Sequence, residues 1–487
     1  MMAMMKRDGV TVWIVSLSSV FAASIAIVFL IGFFSDKANV NGFGPFNSSY
    51  EAEFDIPTVE LVTTAARTRD GESRAVISSE FSSKLKPTVR VRISHPHTCR
   101  RQNSKLEQGL AVARAAIRKA ASNRNVSLIM KNSDVISTAI YRNAGAFYQS
   151  YMEMERRFKV YVYKEGELPI VHDGPCKDIY SSEGRFIHEM EHGNNRFRTT
   201  NAKAAHVYFM PFSVTWMVKY LYKPKTYNVT PLKEFVSDYV RLISRKHPFW
   251  NKTQGADHFM LTCHDWGPHA SSGNAFLYNT SIRVLCNANS SEGFDPRKDV
   301  SLPEIHLYGG NVNPKLLSPP PSNISRLYLA FFAGGLHGSI RPILLKHWKG
   351  RDQDLHIYEY LPKDQDYYNS MLKSKFCLCP SGYEVASPRI VEAIYAECIP
   401  VILSDHYVLP FSDVLNWDTF SMHIDILEIP RLKEILIAVS EDKYLRLKEG
   451  LRAVRRHFVL NRPAKRFDMF HMILHSVWLR RLNLRVG

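Results

Sequence analysis

The stretch Ser374-Lys375-Phe376-Cys377-Leu378-Cys379-Pro380-Ser381-Gly382-Tyr383-Glu384 and, past Val385, Ala386-Ser387-Pro388-Arg389-Ile390-Val391-Glu392-Ala393-Ile394-Tyr395-Ala396-Glu397-Cys398-Ile399-Pro400-Val401-Ile402-Leu403, decides the fold. It reads as strand, turn, helix, strand. The apolar run stops at Pro380-Ser381-Gly382. Ser387 is a favoured N-cap, and Pro388 is the residue a first helical turn accepts best. Arg389 and Glu392 then fall in the opening turns of the helix. Ligands of an open α/β sheet bind outside the carboxyl ends of its strands, and a helix N-terminus there attracts phosphate. An arginine fork beside it can hold a diphosphate. A carboxylate one turn on can accept both hydroxyls of a ribose. The stretch therefore outlines a nucleotide-sugar site, with Ser381 and Gly382 in its turn.

Outward from this unit the chain keeps alternating. Strands are expected at 327–332, 355–360, 376–379, 399–403 and 421–426, with helices at 340–348, 367–373, 388–397 and 432–439 between or after them. Upstream, 158–163, 206–212 and 258–263 read as strands, and 186–192 and 232–246 as helices. Such alternation argues for parallel sheets covered by helices. A breaker-rich linker, 311–322, separates the two halves and carries Pro314 and Pro319-Pro320-Pro321. Two long helices follow, 443–457 and 464–482. A second strand–glycine–helix unit spans Leu329 to Arg341. There Gly334, Gly335 and Gly338 allow close backbone approach, and Arg341 opens the next helix.

The opening stretch resembles the donor-site region of the exostosin-like glycosyltransferases, glycosyltransferase family 47, and above all its plant members that build cell-wall polysaccharides. Matching segments are Phe158-Lys-Val-Tyr-Val-Tyr163, His172-Asp-Gly-Pro-Cys176, Gly184-Arg-Phe-Ile187, Asp257-His-Phe259, His264-Asp-Trp-Gly267, Phe294-Asp-Pro-Arg-Lys-Asp-Val-Ser-Leu-Pro303 and Leu409-Pro-Phe-Ser-Asp-Val414. They run in family order across roughly residues 145 to 480. The resemblance implies a GT-B fold: two Rossmann-like α/β domains facing a cleft, with donor on the second, acceptor on the first and a last helix returning to the first. It implies inverting transfer from a UDP-sugar to a pectin or hemicellulose type acceptor. It assigns Arg341 and Arg389 to the diphosphate and Glu392 to the ribose. Glu384 stands at the spacing from Glu392 at which other GT-B enzymes use one carboxylate for the sugar and one for the ribose. A general base must take the acceptor's proton. Asp265 is the first candidate, with His264 beside it and His172 and Asp173 behind. No metal cofactor is expected: Asp352-Gln353-Asp354 precedes a strand, and Asp364-Gln365-Asp366 precedes a helix it can cap.

The ends of the chain suggest a membrane address. Lys6 and Arg7 precede an uncharged stretch from Gly9 to Phe34, long enough to span a bilayer with the bulk of the chain lumenal. The expected layout is a cytosolic tail (1–9), a transmembrane signal anchor (10–34), a stem (35–145) with a helix over 106–119, an acceptor-side domain (146–322), a donor-binding domain (323–450) and C-terminal helices (451–487). This describes a single-pass type II protein of the Golgi membrane, with complexes with other glycosyltransferases as further partners. A lumenal chain makes the sequons at Asn47, Asn125, Asn228, Asn251, Asn279, Asn289 and Asn323 meaningful. It also permits disulfides, and seven cysteines leave at least one unpaired within the chain. The net charge of +17 is spread along the sequence without a zinc-finger or RNA-binding signature, which argues against nucleic acid as a partner. The competing class is a non-catalytic glycan-binding or scaffold subunit. The joint presence of Arg341, Arg389 and Glu392 argues against it, since a subunit that binds no donor has no use for them.

Overall fold

The computed structural model describes residues 3–7, 10–14, 90–91, 97–122, 138–318, 320 and 326–486. The chain divides into two compact units, Met1–Ser83 and Lys84–Gly487. In the first, Ala3–Arg7 and Val10–Ile14 pair as an antiparallel hairpin. Residues 10–14 of the expected anchor are thus extended, and 15–34 lie outside the described residues, so a transmembrane helix is not shown. Among the described residues no helix is long and apolar enough to cross a membrane. Residues 35–89 of the expected stem also lie outside them.

The second unit holds two five-stranded sheets. The first consists of β1 (Val160–Val162), β2 (Val207–Phe209), β3 (His258–Thr262), β4 (Ile282–Leu285) and β5 (Val300–Ser301), parallel and in that spatial order. β1 to β4 are buried along their whole length, as strands covered on both faces are. β4 escaped the sequence reading because Arg283 interrupts its apolar pattern, and β5, two residues long, is too short to show one. The Arg283 guanidinium is fully buried and forks onto Asp299, with Nε 3.1 Å from Oδ1 and Nη2 2.5 Å from Oδ2. Nη2 also donates to the Gly293 carbonyl at 2.7 Å. Both charges leave water together, which only such a fork makes tolerable.

α1 (His97–Ser122) packs on α2 (Ala144–Arg157), and beside them α3 (Ser181–His192) packs on this sheet. Asn143 caps α2 by accepting from the amide of Ala146 at 2.9 Å. The helix expected at 106–119 lies within α1. It is a working part of the globular body: Leu110 and Ala113 are fully buried, and Arg114 donates to the Leu482 carbonyl at 3.1 Å.

The second sheet contains β6 (Tyr328–Ala333), β7 (Leu355–Tyr358), β8 (Ser374–Pro380), β9 (Ile399–Leu403) and β10 (Met422–His423), all parallel in the order β7-β6-β8-β9-β10. Here the order reverses between β6 and β8. Neighbouring strands at such a switch point send their following loops apart and leave a crevice. From β6 the glycine loop leads to α4 (Ile340–Trp348); from β8 the Ser381 turn leads to α5 (Pro388–Tyr395). A disulfide between Cys377 and Cys398 ties β8 to the start of β9, and one between Cys263 and Cys286 ties the carboxyl ends of β3 and β4. After α6 (Glu441–Val454) the chain returns to the first sheet as α7 (Met469–Asn483). Trp478 is buried edge-on against Phe158 at 5.4 Å, and Arg480 donates to the Asp299 carbonyl through Nε at 3.0 Å and Nη2 at 2.8 Å.

Candidate functional site

The crevice between β6 and β8 is built around two arginines. Ser387 caps α5, its side chain accepting from the amide of Arg389. The Arg389 guanidinium then reaches back across the sheet edge. Nη2 donates to the Ala333 carbonyl at 2.9 Å, Nη1 donates to Ser387 Oγ at 3.2 Å, and the group lies 5.1 Å from the Phe332 ring centroid. A Cβ on Gly334 would come within 2.4 Å of Nη2, so glycine is needed there to admit the guanidinium. Arg341, in the first turn of α4, is 7 % exposed, and its one hydrogen bond among the described residues is a long 3.5 Å donation to the Gly335 carbonyl. A Cβ on Gly382 would press within 2.8 Å of Arg341 Nη2. The two glycine loops touch as well: Gly338 has φ +70°, and its Cβ would meet the Gly382 carbonyl at 1.9 Å.

Among the described residues, the Nε atoms of both arginines are buried without a partner. Burial, then the charge of Arg389, push Arg341 down to about 9. Two crowded cations with unspent N–H groups cost free energy that a bound anion would recover. A diphosphate has the charge and the acceptors to do so.

One turn beyond Arg389, Glu392 is 7 % exposed and raised above the usual carboxylate range by burial, against the pull of Arg389. Its oxygens accept from two tyrosine hydroxyls, Tyr367 at 3.1 Å and Tyr368 at 3.2 Å. The carboxylate is therefore already arranged to accept two hydroxyls, and its remaining lone pairs can take a ribose diol. Ser381 does different work. Its hydroxyl is spent on Ser404 Oγ at 2.6 Å and the Val385 carbonyl at 3.3 Å, which fixes the turn. Gly382 contributes space for Arg341, and Glu384 stands half-buried at the loop's far side.

Across from the arginines, loops leaving the first sheet bring a group of carboxyls. Asp265 follows β3. Burial raises it to about 6, against a hydrogen bond from the Tyr180 hydroxyl. His264 is pushed down to about 4 by burial. Its ring packs between Tyr180, 4.9 Å away, and Trp266, 5.6 Å away, and Nδ1 accepts from the Trp266 amide at 3.0 Å. Trp266 is engaged edge-on with Tyr222 at 4.8 Å. Burial and then the charges of Asp265, Glu292 and Glu304 raise Glu384 to about 9, so the turn after β8 faces the loops after β3, β4 and β5.

Glu304 was not foreseen. It lies just past the carboxyl end of β5, one residue beyond the Phe294–Pro303 segment, and that adjacency was the available signal. It is 6 % exposed and raised to about 8, by burial first and by Asp265 second, while Arg389 and Arg341 pull the other way. His172 and Asp173 belong elsewhere. His172 Nδ1 pairs with Glu191 at 2.7 Å; Asp173 caps the Gly174 amide at 2.7 Å and accepts from Trp216 Nε1 at 3.2 Å.

In each Asp-x-Asp triplet at least one carboxylate is engaged by a neighbour. Asp352 and Asp354 pair with Lys433 at 2.6 and 2.9 Å, at the amino end of β7 and away from the crevice. Asp366 caps the helix Tyr367–Leu372, accepting from the Asn369 amide at 2.8 Å, and pairs with Lys315 at 2.9 Å. Among the described residues no three His, Cys, Asp or Glu side chains gather as metal ligands. Of the sequons, Asn228, Asn251 and Asn279 are exposed, whereas Asn289 is half-buried with its Nδ2 donating to Glu292 Oε1 at 2.9 Å. Asn47, Asn125 and Asn323 lie outside the described residues.

The Exostosin GT47 domain model matches residues 154–439. A probable glycosyltransferase of Arabidopsis thaliana is 57 % identical over 473 residues, covering 96 % of this chain and 97 % of the relative. A probable glucuronosyltransferase of Oryza sativa subsp. japonica is 28 % identical over 346 residues, covering 66 % of this chain and 77 % of the relative. A probable beta-1,4-xylosyltransferase of Arabidopsis thaliana is 28 % identical over 359 residues, covering 66 % and 81 %. The chain belongs to the exostosin family of glycosyltransferases, GT47.

Proposed function

We propose that this glycosyltransferase is an inverting enzyme of GT-B architecture that moves a sugar from a UDP-sugar onto a plant cell-wall polysaccharide of pectin or hemicellulose type. The observation that carries the reading is the convergence of Arg341, Arg389 and Glu392 at the switch point of the second sheet. The arginines suit a diphosphate whose charge grows as the bond to the sugar breaks, so they stabilise the transition state more than the ground state. Glu392 suits the ribose. The names of the glucuronosyl and xylosyl relatives favour a pentose or uronic acid donor.

The arginines and the N-terminus of α5 supply the neutralisation that other enzymes take from a metal, so the reaction is metal-independent in this reading. The enzyme works in the Golgi lumen, anchored by residues 10–34 as a type II membrane protein and joined by other glycosyltransferases. The test is a panel of UDP-sugars assayed for UDP release and for transfer to matrix polysaccharides, with and without EDTA. One donor should be turned over at a rate EDTA leaves unchanged. No donor turned over, or turnover lost to EDTA and restored by Mn²⁺, contradicts it.

A further inference from the structure

We propose that Glu304 is the general base that takes the proton from the attacking hydroxyl. The inference rests on the glycosyl-transfer reading above and adds a residue to it.

Three observations carry it. Glu304 is 6 % exposed and no hydrogen bond to its carboxyl is seen among the described residues, yet neither of its oxygens is among the fully buried, unpartnered atoms, which include Glu384 Oε2, so its carboxyl is not sealed from solvent. A carboxyl largely desolvated but without a protein partner is free to take a proton from a bound hydroxyl. Second, it issues from the first sheet, just past β5, while its field is shared with Arg341, Arg389 and Glu392 of the second. It therefore stands on the side of the cleft opposite the α4 and α5 arginines, where the acceptor would approach. Third, the other carboxyls are less suited. Asp265 is held by the Tyr180 hydroxyl. Glu384 belongs to the donor-side turn.

The groups facing Glu304 are Asp265 and Tyr180 from the first half, and Arg341, Arg389, Glu384, Glu392 and Tyr407 from the second. Their balance leaves Glu304 at about 8, close enough to neutral pH for a base to accept and then release a proton.

In the step, the acceptor oxygen forms a bond to the anomeric carbon from the face opposite the diphosphate. The bond from that carbon to the diphosphate oxygen breaks, and its electron pair leaves on UDP. The acceptor's proton passes to the Glu304 carboxylate, and from there to solvent when products depart. Water can replace the acceptor, so donor hydrolysis uses the same base.

The experiment compares the full-length wild type with Glu304→Gln and Asp265→Asn, after a thermal melt shows each is folded. UDP affinity is measured by calorimetry, and UDP release is followed from pH 5 to 9 with the UDP-sugar the wild type turns over. Glu304→Gln should keep UDP affinity within about threefold and lose about 10²- to 10⁴-fold in kcat. The acid limb of its pH profile should vanish, while Asp265→Asn keeps that limb. Retained turnover with the limb intact overturns the proposal, as does a loss that falls on UDP affinity rather than kcat. A wild type that neither binds UDP nor turns over any UDP-sugar would instead overturn the transferase reading beneath it.

Discussion

Glu392 gives the residue scale its most readable experiment. Its carboxylate accepts from Tyr367 and Tyr368, so Gln can keep the shape while losing one charged acceptor. Such a loss costs about 1.5–3 kcal/mol. Glu392→Gln should therefore weaken UDP binding about ten- to a hundredfold, read by calorimetry, while uridine diphosphate release at saturating donor changes less. Glu304 offers a separate test through stability. Burial raises it from an ordinary 4.5 to about 8, so the folded state favours the neutral acid. Its stabilising contribution is complete below about pH 4.5 and is lost as pH rises through about 8. Glu304→Gln, which stays neutral throughout, should match the wild-type Tm near pH 5 and exceed it by several degrees at pH 8. A Tm difference independent of pH would contradict the burial of an unpaired acid there.

At the scale of elements, the order of strands was legible where local signals agreed. Helix 340–348 and strand 399–403 stand where the apolar pattern and caps put them. Ser387 caps α5 and Asp366 caps its own helix, both as their sequence contexts imply. What stayed hidden is long-range. β4 was masked by Arg283, whose partner Asp299 lies 16 residues away, and no local pattern announces a buried fork. Glu304 was hidden for a similar reason: its importance comes from what the second sheet sets opposite it. The disulfides also depend on register. Cys377 and Cys379 point to one face of β8, but only Cys377 meets Cys398, while Cys379 stays a free, buried thiol. The Cys377–Cys398 link closes a segment spanning 21 residues that contains the whole β8–α5 turn. Replacing both by Ser should cost about 3 kcal/mol in urea unfolding. It should also loosen Arg389, so UDP affinity falls as well. Unchanged affinity at reduced stability would mean the turn holds its shape without the staple.

On the scale of the whole molecule, the chain leaves the first sheet, builds the second, and returns through α7, whose Arg480 is tied to the Asp299 carbonyl. The returning helix couples the half that would hold acceptor to the half that would hold donor. The proposed lumenal setting has its own readout. Exposed Asn228, Asn251 and Asn279 should carry glycans, so glycosidase treatment of the protein expressed in plant cells should increase its mobility. An unshifted band together with protease access from the cytosolic side contradicts that topology. In the proposed function the crevice between β6 and β8 binds the diphosphate of a UDP-sugar through Arg341 and Arg389. The most direct measurement is calorimetric titration of UDP into the wild type, Arg389→Ala and Arg389→Lys, each checked by thermal melt. The wild type should bind. The alanine variant should lose about ten- to a hundredfold in affinity, and lysine should recover only part, because a point charge cannot reproduce the planar fork. Wild-type affinity in both correctly folded variants would contradict the account.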